Sequence, residues 1–265
     1  EKTSYPDKYA LKDPKGGYVA GNLVARVTGA GSGFGKGIAS TFAKEGANVV
    51  LVDINFKAVE MLAKKIGENV LAIEGDVSNN LDVESMIEST IKKWGKLDIL
   101  VNNAGTTHRN KPITEVSEKE FDHIFSVNVK SIFLTAKRVV PLMKEQGNGV
   151  ILNIASTAGK RPRPGLVWYN TSKGAVIAAS KSMAIELAPY KIRVNAINPV
   201  AGETGMLHLF MGEDTPEKRS EFISSIPWGR LSLPKDMANA ALFLCSDESE
   251  MVTGVCMEVD GGRCI

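Results

Sequence analysis

One octapeptide constrains this chain more than any other stretch: Thr28-Gly29-Ala30-Gly31-Ser32-Gly33-Phe34-Gly35. It follows an apolar run, residues 23–28, and opens a segment of helical spacing, residues 34–45, whose Ile38, Phe42 and Ala43 share a face. Glycines at this spacing allow a tight turn and a close backbone approach to a pyrophosphate. The helix behind them offers free N–H groups and the positive end of its dipole. A glycine-rich turn with no ligand is the plainer alternative. Position favours the dinucleotide loop, because the motif sits between the first strand and the first helix of a βαβ pattern. Asp53 closes the next apolar run, where a carboxylate accepts hydrogen bonds from ribose hydroxyls and repels a 2′-phosphate. No Arg stands beside it, and Ser32 holds the loop position where a basic residue would meet such a phosphate. Both observations predict NAD rather than NADP; a solvated strand-end acid is the alternative for Asp53.

The rest of the chain repeats the pattern. Apolar runs at 23–28, 48–53, 69–74, 97–102, 149–155, 192–197 and 254–259 predict seven strands. Arg26 interrupts the first, and the sequence accounts for it only by a local rearrangement at the edge of the core. Runs that are apolar on both faces belong to buried parallel strands. Helical spacing predicts helices over 34–45, 55–66, 81–94, 121–143 and 175–187, and Gly46, Gly67 and Gly95 each sit just past a helix end. Alternating strands and helices with right-handed crossovers make a doubly wound parallel sheet. With no linker or repeat, the expectation is one α/β, Rossmann-like domain over residues 23–265. Residues 1–22 are charged, carry Pro6, Pro14, Gly16 and Gly17, and read as an extended arm or an expression remnant.

Composition removes several classes of function. Lys plus Arg is 32 against 30 for Asp plus Glu, without the basic excess a nucleic-acid partner would require. No apolar run is long enough to span a membrane, and residues 1–22 lack the apolar stretch of a signal peptide. Cys245, Cys256 and Cys264 match neither a disulfide framework nor a zinc spacing, which predicts a reducing, cytoplasmic setting. His108, His123 and His208 carry no metal-ligand pattern, so no metal is expected. His123 reads as a helix-surface residue, whereas His108 and His208 lie where either could touch a substrate.

The candidate reacting group is Tyr169-Asn170-Thr171-Ser172-Lys173, with a phenol and an ammonium at i and i+4 on one helix face. An ammonium beside a phenol favours the phenolate and lowers its pKa, making it a usable acid/base near neutrality. Such a pair also occurs by chance. Ser156 ends the fifth run and could hold a substrate oxygen beside Tyr169, although a serine there is more simply a cap or turn residue. Asp76-Val77 ends the third run and Asn102-Asn103-Ala104-Gly105 the fourth, so both line the crevice at the strand ends.

Together these residues resemble the short-chain dehydrogenase/reductase family: Thr28-Gly29 with Gly33 and Gly35, Asp53, Asp76, Asn102 to Gly105, Asn128, Ser156, Tyr169 with Lys173, Asn198-Pro199, and the terminal strand and turn of residues 255–262. The likeness runs from about Leu23 to the C-terminus. It implies that Tyr169 is the proton donor or acceptor, that Lys173 binds the nicotinamide ribose and depresses the Tyr169 pKa, that Ser156 positions the substrate oxygen, and that Asn128 holds a water in the proton relay. It also implies cofactor contacts at Gly29, Ser32, Gly33, Phe34, Gly35, Asp53, Asp76, Val77, Asn103, Ala104 and Gly105. Pro199, Gly202 and Thr204 join them at the carboxamide end, although Val200 stands where the family usually has Gly.

The resulting expectation is NAD(H)-dependent interconversion of a secondary alcohol and a ketone, with a small molecule as substrate. One alternative is reduction of a 3-oxoacyl thioester, which commonly uses NADPH and a basic residue that Ser32 does not supply. A non-catalytic dinucleotide sensor is another, and it would typically have lost Ser156, Tyr169 or Lys173. The resemblance implies that residues 205–228 form a lid. Met206, Leu207, Leu209, Phe210, Met211, Ile223, Ile226 and Trp228 there suit a medium-sized apolar substrate, unless half of them simply pack the lid down. Surplus apolar residues at 127–140 and 175–187 predict oligomerisation, and the resemblance implies pairing of these helices across two-fold axes into a homotetramer. Arg161 and Arg163, on a loop stiffened by Pro162 and Pro164, could clamp a substrate carboxylate or phosphate. The apolar lid favours the simpler reading, in which they are surface charges or pair with acids of a neighbouring subunit.

Overall fold

The apolar runs fold as seven strands of one parallel sheet: β1 (Val24–Thr28), β2 (Asn48–Asp53), β3 (Val70–Glu74), β4 (Ile99–Asn102), β5 (Gly149–Ile154), β6 (Ile192–Pro199) and β7 (Cys256–Val259). In this computed structural model, which describes residues 23–265, their order is β3-β2-β1-β4-β5-β6-β7. Thr28 pairs with Val52 on one side of β1, and Val27 with Val101 on the other. The chain winds outward from β1 to β3, then returns across β1 to begin β4. At that reversal the loops leaving β1 and β4 part to opposite faces and open a crevice.

The helices are α1 (Gly33–Lys44), α2 (Phe56–Ile66), α3 (Asn80–Trp94), α4 (Glu118–Phe125), α5 (Ser131–Gln146), α6 (Val167–Leu187), α7 (Leu207–Met211), α8 (Pro216–Ser224) and α9 (Pro234–Cys245). Their starts follow local chemistry. Asn55 accepts from the Ala58 N–H, Asn79 from Leu81 and Asp82, and Ser117 forms a reciprocal cap with Glu120. Ile38 and Phe42 of α1, Leu62 of α2 and Met237 of α9 pack on Ala25, Val27, Val49 and Leu51. Val83 of α3, Leu134 of α5 and Leu187 of α6 pack with Val24, Leu100 and Val194 on the opposite face. Full burial of each such side chain contributes about 1.5–3 kcal/mol.

The helix expected over 121–143 is α4 and α5 joined by a π-helical turn, Ser126–Lys130, which buries Asn128. A turn with one extra residue redirects side chains without ending the helix, a device common near functional sites. Helix α6 starts at Val167 rather than 175, because its first turns bury the polar Asn170, Ser172 and Lys173 and so show no apolar stripe. Helix α9 was not anticipated, although Pro234 at its first position and Asp236 two residues later are start signals.

Arg26 departs from expectation in another way. β1 runs through it without interruption, and the side chain is 0% exposed in the interior between Val50 and Leu100, not at an edge. Its Nη2 reaches only the Met86 sulfur, at 3.8 Å, while Nε and Nη1 have no partner among the described residues. Residues 203–231 leave the sheet as an excursion carrying α7 and α8. Its neck is closed where Glu203 N–H bonds Ser232 O at 3.0 Å and Ser232 N–H bonds Ala201 O at 3.1 Å. A small apolar cluster joins its Leu207, Ile226 and Leu231, with Met211, Phe222 and Ile223, to Val200 just past the end of β6. Residues 1–22 fall outside the described part.

Candidate active site

Thr28, the last residue of β1, ties the two loops of the crevice together. Its Oγ1 accepts from the N–H groups of Asn103 and Ala104, both at 3.0 Å, and the Asn103 amide donates back to Thr28 O at 2.8 Å. The loop after β1 can follow this path because Gly29 has φ +65°, and a Cβ there would stand 2.9 Å from Asn103 Nδ2. No side chain caps α1, so its first N–H groups remain open to an outside acceptor. Asp53 is held between the N–H groups of Gly31 and Asn55, each at 2.9 Å. Asp76 accepts from the Ser78 N–H and hydroxyl.

A cavity of about 460 Å³ lies over these loops. Its wall includes Gly29, Ser32, Gly33, Phe34, Asp53, Asp76, Val77, Asn103, Ala104, Gly105, Pro199, Gly202 and Thr204, together with Ser156, Tyr169 and Lys173. Two sequence candidates stand behind the wall. Gly35 packs under the loop, where a Cβ would collide with the Gly29 carbonyl and the Asn103 amide. Asn128 receives the Thr106 N–H at 2.8 Å and donates to Thr106 O and Ser172 Oγ, so its side chain fixes the loop after β4.

Ser156 follows β5 and caps a short 3-10 turn by accepting from the Ala158 N–H, and its hydroxyl also meets the Tyr169 phenol. The cap and the site residue are therefore the same serine. Tyr169 is buried, with Phe210 of α7 edge-on at 5.2 Å between ring centroids. Burial pushes the phenol up to about 12, against the opposing pull of Ser156 and Arg163. Lys173 does not offset that rise; its ammonium lies 5.8 Å from the Tyr169 ring centroid and donates to Ile154 O at 2.8 Å. Burial pushes Lys173 down to about 8.

The histidines exchange roles. His123 lies on the cavity wall, whereas neither His108, which is buried, nor His208 does. A helix-surface position at the mouth of a crevice is also a wall position, and sequence periodicity does not distinguish the two. Of the apolar residues in 205–228, Met206 and Phe210 reach the cavity while Leu207, Met211, Ile223 and Ile226 pack within the excursion; Trp228 is 73% exposed. Sequence reasoning missed Thr106, Val127, Leu166 and Phe222, which also line it. Among the described residues no cluster of side chains could hold a metal, and no helix is long and apolar enough to cross a membrane.

A bare-backbone loop, an open helix start and a Ser-Tyr-Lys set on one wall define a dinucleotide-dependent oxidoreductase site. A family model described as enoyl-(acyl carrier protein) reductase matches residues 29–263. The 4-formylbenzenesulfonate dehydrogenase of Comamonas testosteroni is 47% identical over 244 residues, covering 91% of this chain and 97% of that protein. A 3-oxoacyl-[acyl-carrier-protein] reductase of Thermotoga maritima is 39% identical, covering 91% and 98%. The crystal structure of a 3-ketoacyl-(acyl-carrier-protein) reductase from Brucella melitensis, complexed with NADH, superposes with a TM-score of 0.87 at 50% identity, covering 92% and 98%. The chain belongs to the short-chain dehydrogenase/reductase family, and it is an oxidoreductase acting on CH–OH and C=O groups.

Proposed function

We propose that the protein interconverts a secondary alcohol and a ketone with NAD(H), using Tyr169 as the acid/base. The observation that carries this reading is the meeting of Tyr169 with Ser156 on the wall that also holds Lys173, Asp53 and the glycine loop. The cradle suits a nicotinamide dinucleotide, since a Cβ at Gly29 would press on Asn103 and one at Gly202 would run into Phe34. Such a cofactor supplies or accepts the hydride when bound. Gly29, Ser32, Gly33 and Phe34 would hold its diphosphate, and Asp76, Val77, Asn103, Ala104 and Gly105 would line its adenosine and ribose path. Pro199, Gly202 and Thr204 would meet its carboxamide.

Ser156 holds the substrate oxygen beside the Tyr169 hydroxyl, which donates its proton during reduction and takes it back during oxidation. Lys173 holds the ribose and carries the proton onward, while Asn128 shapes the loop beside it. Asp53 supports NAD over NADP, as a carboxylate disfavours a 2′-phosphate, and Lys173 and Arg163 are the cavity's only basic side chains other than His123 among the described residues. Surface-exposed Phe133 on α5 and Ile185 on α6, 62% and 80% exposed, support assembly as a homotetramer through those helices. Three unpaired cysteines support a cytoplasmic setting.

A second reading, reduction of a 3-oxoacyl thioester, is supported by the names of the Thermotoga and Brucella relatives. A panel of cyclic ketones, diols, sugars and acyl thioesters, followed at 340 nm, separates the two. Tyr169→Phe should keep NADH binding and lose about 10²- to 10⁴-fold in turnover. Full activity in that variant would mean another group moves the proton.

A further inference from the structure

The cavity wall carries a cation that this chemistry leaves unused. Arg163 lines the same cavity as Tyr169 and Ser156. Its guanidinium carbon stacks 3.5 Å from the ring centroid of Phe222 on α8. Stacking engages the flat face of the group and leaves its N–H edge for a partner in the plane. Pro162 and Pro164 stiffen the loop, and Asn170 Nδ2 donates to the Arg163 carbonyl at 2.8 Å, so the backbone that presents this side chain is fixed.

Among the described residues no carboxylate takes the Arg163 edge. Two further arginines stand beside it instead. Arg161 donates to the Arg263 carbonyl, and Arg263 has Nε and Nη1 buried without a partner. Burial and these two like charges hold the Arg163 guanidinium down to about 10. The nearby acids are committed elsewhere: Asp260 accepts from the N–H groups of Gly262 and Cys264, at 2.9 and 2.8 Å, and Glu258 pairs with Lys160 at 2.7 Å. A half-buried, preorganised cation without a counter-charge is stabilised when an anion docks on it.

We propose that Arg163 binds an anionic group of the substrate, so that the enzyme acts on a hydroxy or oxo compound whose apolar body carries one carboxylate or sulfonate. A stacked guanidinium keeps its in-plane N–H donors, and a bidentate pair of them matches a single oxyanion. Leu166, Phe210 and Phe222 line the same cavity as Arg163 and Tyr169 and supply apolar wall for the body. The proposal rests on the alcohol/ketone reading for the reacting end, and it sets the apolar cavity residues and the arginine to different parts of one substrate.

The test compares 3- and 4-acetylbenzoate, the corresponding acetylbenzenesulfonates and the neutral methyl acetylbenzoates, with NADH, on the wild type and on Arg163→Met, Arg163→Lys and Arg161→Met. In the wild type, kcat/KM for an anionic probe should exceed that of its neutral counterpart by about 10- to 100-fold, mainly through KM. Carboxylate and sulfonate arms show which headgroup is preferred. The ratio should fall to near one in Arg163→Met, recover in part in Arg163→Lys, and survive in Arg161→Met, whose guanidinium is tied outside the cavity. Calorimetric titration of the same probes into the NADH-loaded proteins reads the preference even where nothing is turned over. A wrong alcohol/ketone reading therefore appears as NADH binding without turnover of any probe, separately from a wrong anion reading. The proposal is overturned if the wild type binds ester and anion equally, if the preference persists in Arg163→Met, or if Arg161→Met abolishes it as completely. Thermal melts confirm that each variant is folded, and Arg163→Lys carries the test should the Met variant not fold.

Discussion

Replacing Arg26 with leucine should stabilise the fold. The side chain lies in the middle of β1, wholly shielded from water, with a 3.8 Å contact to sulfur as its one hydrogen-bond partner among the described residues. Burial alone holds its pKa down to about 10. At about 1.4 kcal/mol for each tenfold change, the drop from the ordinary arginine value amounts to about 3 kcal/mol. Leucine removes that cost, fills nearly the same space, and adds apolar contact with Val50, Leu100 and Met86. For a chain of this size, about 2–4 °C per kcal/mol converts the gain to a rise of about 6–12 °C in Tm. The pH dependence has a definite sign. A cation whose pKa is lowered in the folded state carries its full penalty below the folded value and loses it as the pH rises through that value. The gap between variant and wild type should therefore be constant from about pH 6 to 9 and narrow only above about 10. Urea titrations at one fixed protein concentration, with equal m-values, give the difference. A midpoint for Arg26→Leu equal to or below the wild type would refute the reasoning.

Three further outcomes are expected. The wild type should prefer NADH, and Asp53→Ala combined with Ile54→Arg, at a cavity-lining position 72% exposed, should shift kcat/KM toward NADPH; equal use of both cofactors by the wild type would contradict the role given to Asp53. Ketone reduction at saturating NADH should fall above about pH 8, because Lys173, a cation lowered to about 8, loses its charge there, while the Tyr169 phenol, raised to about 12, keeps its proton. Lys173→Arg should move that limb upward, and a flat profile to pH 10 would exclude it. Light scattering should give a tetramer that Phe133→Asp dissociates, and a monomeric wild type would remove the assembly.

The sheet was legible because parallel strands buried on both faces read as largely apolar runs, and each of the seven lies within two residues of its predicted ends. The cofactor loop was legible because its glycines have backbone tasks that other residues cannot perform. Helix α6 was legible only in its second half, since its first turns bury Asn170, Ser172 and Lys173 where an ordinary helix would bury leucine. Tyr169 and Lys173 were found as a pair, but their electrostatics were not: the ammonium turns to the Ile154 carbonyl, and depth of burial is a property of the assembled layers. Arg163 was noticed, and the company of Arg263, a hundred residues away in sequence, was not readable. His123 reads from the sequence as a helix-surface residue because a surface helix position and a cavity rim give the same periodic signal.

The pinched neck at Ala201, Glu203 and Ser232 separates two inheritances within one chain. Because the excursion of residues 203–231 begins and ends at nearly the same point, its length and content can change with little entropic cost to the frame. It also carries its own apolar cluster, so a new covering brings its own means of packing. The clasp of Thr28 and Asn103 includes no residue of that cluster, which meets the cavity through Val200 and Phe222. A lineage built on this plan can exchange what it recognises while keeping intact what it does with electrons.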